Sequence, residues 1–112
     1  MKILILGDVM GAAGRKVINF KLPKLIKEKD LNFVIVNGEN AADDDGRGIT
    51  KDIAEEFFVN GVDVITSGNH IWDKEETTNY IDNENRLLRP ANLVEGSPGR
   101  GYEIYFTKDK KY

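Results

Sequence analysis

The sequence predicts an α/β fold, a mostly parallel sheet flanked by helices, and three observations predict it. Ile3-Leu4-Ile5-Leu6, Phe33-Val34-Ile35-Val36 and Val62-Asp63-Val64-Ile65-Thr66 are apolar runs of strand length. Segments with helical spacing of apolar residues lie between them. Each run ends in a polar cluster: Gly7-Asp8, Asn37-Gly38-Glu39-Asn40 and Gly68-Asn69-His70. Strands that alternate with helices assemble through right-handed βαβ crossovers, and such crossovers join parallel strands.

The first run is continuous and bounded by glycine, the pattern of a strand buried on both faces. Arg15 to Lys29 follows as a helix, with Val17, Ile18, Leu22, Leu25 and Ile26 at helical spacing. Pro23 either kinks that helix or starts its second part. Phe33 to Val36 is the second buried strand, and Ala41 to Gly48 is a loop rich in Asp and Gly. Thr50 is placed to cap a helix reaching Val59, and Asn60-Gly61 ends it with a residue able to take a left-handed conformation. Val62 to Thr66 is the third strand, Lys74 to Ile81 a short helix, and Leu87-Leu88 opens a fourth strand before Arg89-Pro90. Gly101 to Thr107 alternates like a half-buried strand, Lys108-Asp109-Lys110-Lys111 reads as a polar turn, and Tyr112 falls where a hairpin's return strand would begin. This is the pattern expected of a chain that stops in the middle of a fold. A frayed basic terminus on an edge strand is the alternative.

A length of 112 residues fits one small domain, and a hydrophobic content of 40% suffices for a core. The net charge of -3 argues against broad electrostatic binding to nucleic acid. There is no cysteine and hence no disulfide, as suits a cytoplasmic protein. The first apolar run is too short for the apolar region of a signal peptide and far too short to span a bilayer. A cytoplasmic protein without a membrane partner is the expectation.

In open α/β sheets ligands bind outside the carboxyl ends of the strands, where Asp8, Glu39, Asn40, Asn69 and His70 are expected to converge. Asp8 taken alone reads rather as a helix cap or a turn-forming residue than as a ligand. Glu39 follows four apolar residues and is flanked by Asn37, Gly38 and Asn40, a poor choice for packing and a good one for bridging two cations. Asn40 and Asn69 offer neutral carbonyl oxygens. His70, the only histidine, reads as a metal ligand, a proton donor or a satisfied histidine at a strand end. An imidazole titrates near neutrality, which favours the proton donor. Gly7, Gly11 and Gly14 do not match the G-x-G-x-x-G spacing, and Asp43-Asp44-Asp45 lacks the alternation of a calcium loop. Trp72 reads as a packing residue beside the site, or as an aromatic for a base to stack on.

Gly7-Asp8-Val9, Asn37-Gly38-Glu39-Asn40-Ala41-Ala42, Gly68-Asn69-His70-Ile71-Trp72-Asp73 and Arg89-Pro90-Ala91-Asn92, with Gly96-Ser97-Pro98-Gly99-Arg100-Gly101, resemble the YmdB-like branch of the calcineurin-like metallophosphoesterases. The resemblance runs from Met1 to about Tyr105. It implies a four-layer αββα fold with a dinuclear centre of iron or manganese. It also implies phosphodiesterase activity, with cyclic nucleotides, among them 2′,3′-cyclic monophosphates, as substrates. Carried over, Asp8 and Asn40 bind the first metal, Asn69 the second, Glu39 bridges them and His70 donates the proton. Most calcineurin-like enzymes carry a histidine two residues after the first Asp; here Met10 stands there, as the YmdB-like branch allows.

The resemblance also sets an expectation about extent. Members are more than twice as long, and their C-terminal half brings three further histidine ligands that this chain does not hold. Residues 1–112 are therefore expected to be the N-terminal portion of a single metallophosphoesterase domain, with its metal shell incomplete and its activity in doubt. A small phosphodiester is the expected partner, and homo-oligomerisation is left open. The competing readings are a non-catalytic Rossmann-like binding or regulatory module and a non-functional remnant whose exposed sheet edge drives self-association.

Overall fold

The computed structural model describes residues 1–44 and 46–108. Four strands, β1 (Ile3–Leu6), β2 (Phe33–Asn37), β3 (Val64–Thr66) and β4 (Leu87–Leu88), form one sheet in the order β1-β2-β3-β4. Every pairing is parallel, with Ile3 opposite Phe33, Val36 opposite Ile65 and Thr66 opposite Leu88. The connections hold the helices α1 (Gly11–Lys29), α2 (Lys51–Val59) and α3 (Glu75–Tyr80), the last continued by a 3-10 turn over Ile81–Asn83.

This strand order decides where the core lies. Each crossover moves one strand further in the same direction, and right-handed crossovers of that kind put every helix on the same face. Leu4, Leu6, Val34, Val36, Ile65 and Leu87 share that face by register. They pack with Ile18 and Leu22 of α1 and Ala54 and Phe57 of α2 in one cluster, where Val34, Val36 and Phe57 are fully buried. The opposite face carries Ile3, Ile5, Phe33, Ile35 and Val64. Among the described residues only the segment 101–107 crosses it: the Tyr105 ring lies 6.1 Å from that of Phe33, and Met1, Ile3, Phe33, Ile35, Tyr105 and Thr107 line a depression of about 290 Å³.

The bare face corrects one expectation. β1 is not buried on both faces, because Ile5 is 71% exposed and Ile3 47% exposed. An apolar run cannot tell whether a second layer covers it. Burial in the tail alternates as expected from Tyr102 to Phe106, yet this stretch forms no strand ladder. Its one bridge at the near end pairs Arg100 with Leu88. The expected turn at 108–111 and the return strand at Tyr112 lie, from residue 109 on, outside the described residues.

The helices follow their local signals closely. α1 begins at Gly11, four residues before the apolar pattern, and runs through Pro23 without a break. Asp30 ends it in the left-handed region, where its N–H and that of Leu31 take up the carbonyls of Lys27 and Ile26. Thr50 caps α2, its Oγ1 accepting from the Ile53 N–H at 3.3 Å. Gly61 follows with φ 103°, a conformation only glycine adopts freely, and comes so close to Ile26 that a Cβ would lie 2.5 Å from its Cδ1.

Candidate metal and phosphoester site

Three adjacent strands bring the expected residues to one edge. β1 ends at Leu6, β2 at Asn37 and β3 at Thr66, and the polypeptide beyond each end carries the polar groups. The Val9 N–H bonds the Asn37 carbonyl at 3.1 Å, and the Gly38 N–H bonds that of Thr66 at 2.9 Å, so the three loops stay in register past the strands.

Asp8 sits at φ 47°, in the left-handed region that aspartate tolerates better than most residues. Backbone strain of this sort concentrates at functional sites. Its Oδ1 accepts a hydrogen bond from Asn40 Nδ2 at 2.6 Å. This contact ties the β1 loop to the β2 loop and leaves the Asn40 amide oxygen available. The Gly11 N–H bonds the Asn40 carbonyl at 2.9 Å and anchors the same pair from below.

Glu39 reaches across to the third loop. Its carboxylate lies against Gly68, where a Cβ would stand 1.4 Å from Oε2 and 2.4 Å from Cδ. The glycine is what makes room for the carboxylate. Glu39 Oε2 is buried and has no hydrogen-bond partner. An unpartnered buried carboxylate oxygen is costly, and either a cation or water would relieve it. Asn69, next to Gly68, is exposed at the same edge.

His70 and Asp73 occupy successive turns, closed by the Ile71 N–H to the Gly68 carbonyl and the Asp73 N–H to the His70 carbonyl, each at 3.1 Å. Buried Ile71 pins this segment to the core, and half-buried Trp72 packs at its margin. His70 Nδ1 lies 2.8 Å from Asp73 Oδ2. Lys74 pairs instead with Asp43 of the acidic loop. Met10, in place of a histidine, is half exposed and turns toward Gly46 of that loop.

The structure thus joins Asp8 to Asn40 and sets Glu39 against Gly68, with Asn69 and His70 following on the same neighbouring loop and His70 turned to Asp73. Two contributors were missed in the sequence, Gly68 and Asp73. The i,i+3 spacing of His70 and Asp73 was visible, whereas nothing in the sequence marks Gly68 as a cradle for Glu39. As metal donors the set holds two carboxylates and two amides, all hard oxygens suited to divalent cations. Among the described residues no three His, Cys, Asp or Glu side chains come together as a metal-binding group.

The family model for YmdB-like proteins matches residues 4–112. The chain belongs to the YmdB-like family. A Bacillus subtilis relative named 2′,3′-cyclic-nucleotide 2′-phosphodiesterase is 46% identical over 101 residues, which is 90% of this chain and 38% of the relative. Two solved structures match the YmdB-like chain with similar closeness. A hypothetical protein from Thermus thermophilus superposes with a TM-score of 0.81 at 34% identity, covering 93% of this chain and 40% of its own. A phosphatase from Mycoplasma pneumoniae gives 0.80 at 33%, covering 94% and 39%. The chain spans about two-fifths of the length of these relatives. No described helix is long and apolar enough to cross a membrane.

Proposed function

We propose that this chain forms the catalytic edge of a metal-dependent phosphodiesterase acting on small phosphodiesters, 2′,3′-cyclic nucleoside monophosphates among them. The observation that carries the reading is the unpartnered Glu39 oxygen, buried against Gly68 between the Asp8–Asn40 pair and the Asn69-His70 turn. The Bacillus subtilis relative's name supplies the substrate class. Asp8 and Asn40 would hold one metal ion, Asn69 a second, and Glu39 both, with iron or manganese as the ions. The chemistry such a centre supplies is charge neutralisation on the phosphate oxygens and activation of water near neutral pH.

The chain's own residues do the rest. Asp8 and Asn40 brace one another, so the donor atoms are held before anything binds. His70 lies beyond Asn69 with its side chain 31% exposed, free to protonate a departing alkoxide. The net charge of -3 disfavours extended nucleic acid as substrate, and the cysteine-free composition suits the cytoplasm. We read residues 1–112 as the N-terminal portion of a single metallophosphoesterase domain, in keeping with the coverage of the relatives and the bare sheet face.

The test uses the full-length protein of which these residues are read as the N-terminal portion, loads it with Mn²⁺ and follows hydrolysis of a 2′,3′-cyclic nucleotide. His70→Ala is expected to lower kcat by roughly 10²–10⁴-fold with metal content unchanged. Glu39→Ala is expected to abolish both. Loss of metal in His70→Ala would make the histidine a ligand and overturn its assignment as acid.

A further inference from the structure

We infer that Asp73 is the positioning residue for His70, holding Nδ1–H against its carboxylate so that in the imidazolium Nε2–H faces outward as the proton given to the departing oxygen, the ring then resting neutral with Nε2 bare. The assignment rests on the reading of His70 as proton donor. The geometry behind it is the 2.8 Å contact between Nδ1 and Asp73 Oδ2. A carboxylate only accepts, so the nitrogen facing it carries the proton, and in the neutral ring the other nitrogen is bare. An imidazole without such a partner rotates and exchanges tautomers.

The local fold keeps the pair together. The two linked turns fix the separation of residues 70 and 73, and fully buried Ile71 stands between them as the anchor. Gly48 backs the segment: a Cβ there would come within 3.1 Å of the His70 carbonyl and 3.5 Å of Asp73 Cβ. Lys74, the neighbouring cation, is engaged by Asp43 and does not draw the Asp73 carboxylate away. Asp73 touches no reacting atom in this arrangement; it acts through the ring.

Because His70 is the only histidine, imidazole ¹⁵N signals of the chain belong to one ring. Spectra recorded at alkaline pH, where free imidazole is neutral, read its tautomer directly. The expected result is a protonated Nδ1 and a bare Nε2 in the parent chain. Asp73→Ala should lose that preference, and Asp73→Asn, whose amide NH₂ can turn to donate to Nδ1, should lose it as well while keeping the ring in place. A protonated Nε2 in the parent, or an unchanged tautomer in a folded Asp73→Ala, would overturn the assignment.

Turnover supplies the second readout. In the Mn²⁺-loaded full-length protein Asp73→Ala should lower kcat about 10–100-fold at constant KM, as misplacement of a catalytic group does. The loss should shrink on a nitrophenyl diester, whose leaving oxygen needs no proton; an equal loss on both substrates would refute positioning. The nitrogen spectra need no turnover, so the two readings fail separately. A full-length protein inactive on every diester, with Nδ1–H intact in residues 1–112, refutes the hydrolase and upholds the pairing, and an active protein with Nε2–H does the reverse.

Discussion

Gly68→Ala adds one methyl group at the point where the site is tightest. The new Cβ would stand 1.4 Å from Glu39 Oε2, against an ordinary contact of about 3.4 Å, so the carboxylate must retreat by about 2 Å (3.4 - 1.4). Gly68 does not occupy the left-handed region, so alanine brings no backbone penalty there. The clash falls on the far end of a flexible side chain that has no hydrogen bond to lose. Stability should therefore change by no more than about 1 kcal/mol, as is usual away from the core. Metal binding should not survive so well, since a displacement of about 1 Å already costs on the order of 10²-fold in function. Calorimetric titration with Mn²⁺ and hydrolysis of a cyclic nucleotide, both in the full-length protein, measure the loss, and a denaturant curve provides the control. A folded Gly68→Ala chain with unchanged Mn²⁺ affinity would refute the placement of Glu39 at the centre.

Two further outcomes follow from the fold. Phe57→Ala removes the largest fully buried side chain from the interface between α2 and the sheet, and should destabilise the chain by about 3–5 kcal/mol in urea unfolding. Tyr80 and Tyr105 are both pushed up to about 12, chiefly by burial, with Glu84 adding at Tyr80 and Glu103 at Tyr105. The folded state thus holds these protons more tightly than the unfolded chain does. Their contribution is fully present below pH 10 and is lost as pH rises toward 12, so phenolate absorbance should show two tyrosines titrating late and unfolding should accompany them.

The strands and every helix were legible because local and tertiary signals agree in this chain. Apolar runs bounded by glycine became strands, Thr50 capped α2, and Asn60-Gly61 closed it. Helix ends were less exact. α1 starts at Gly11 because the Gly11 N–H finds the Asn40 carbonyl, a long-range contact that no helical periodicity announces. The site residues were legible as a set because each follows its strand directly. Their mutual geometry was not. That Asn40 leans on Asp8, that Gly68 admits Glu39 and that Asp73 meets His70 are facts of loop packing, and loops carry no periodic signal.

The single direction of strand addition explains both the site and the bare face. Moving one strand over at each crossover puts Asp8, Glu39 and Asn69 on neighbouring loops, which a sheet with a reversal between β1 and β2 would have separated. The same order sends all three helices to one side, leaving Ile3, Ile5 and Phe33 with only the 101–107 segment over them among the described residues. Tyr102, Ile104 and Phe106 point away from that face and are each more than three-quarters exposed, so the segment is apolar on its outer side as well. The site therefore lies at the carboxyl edge of a sheet that is covered by helices on one face and, among the described residues, by one irregular segment on the other.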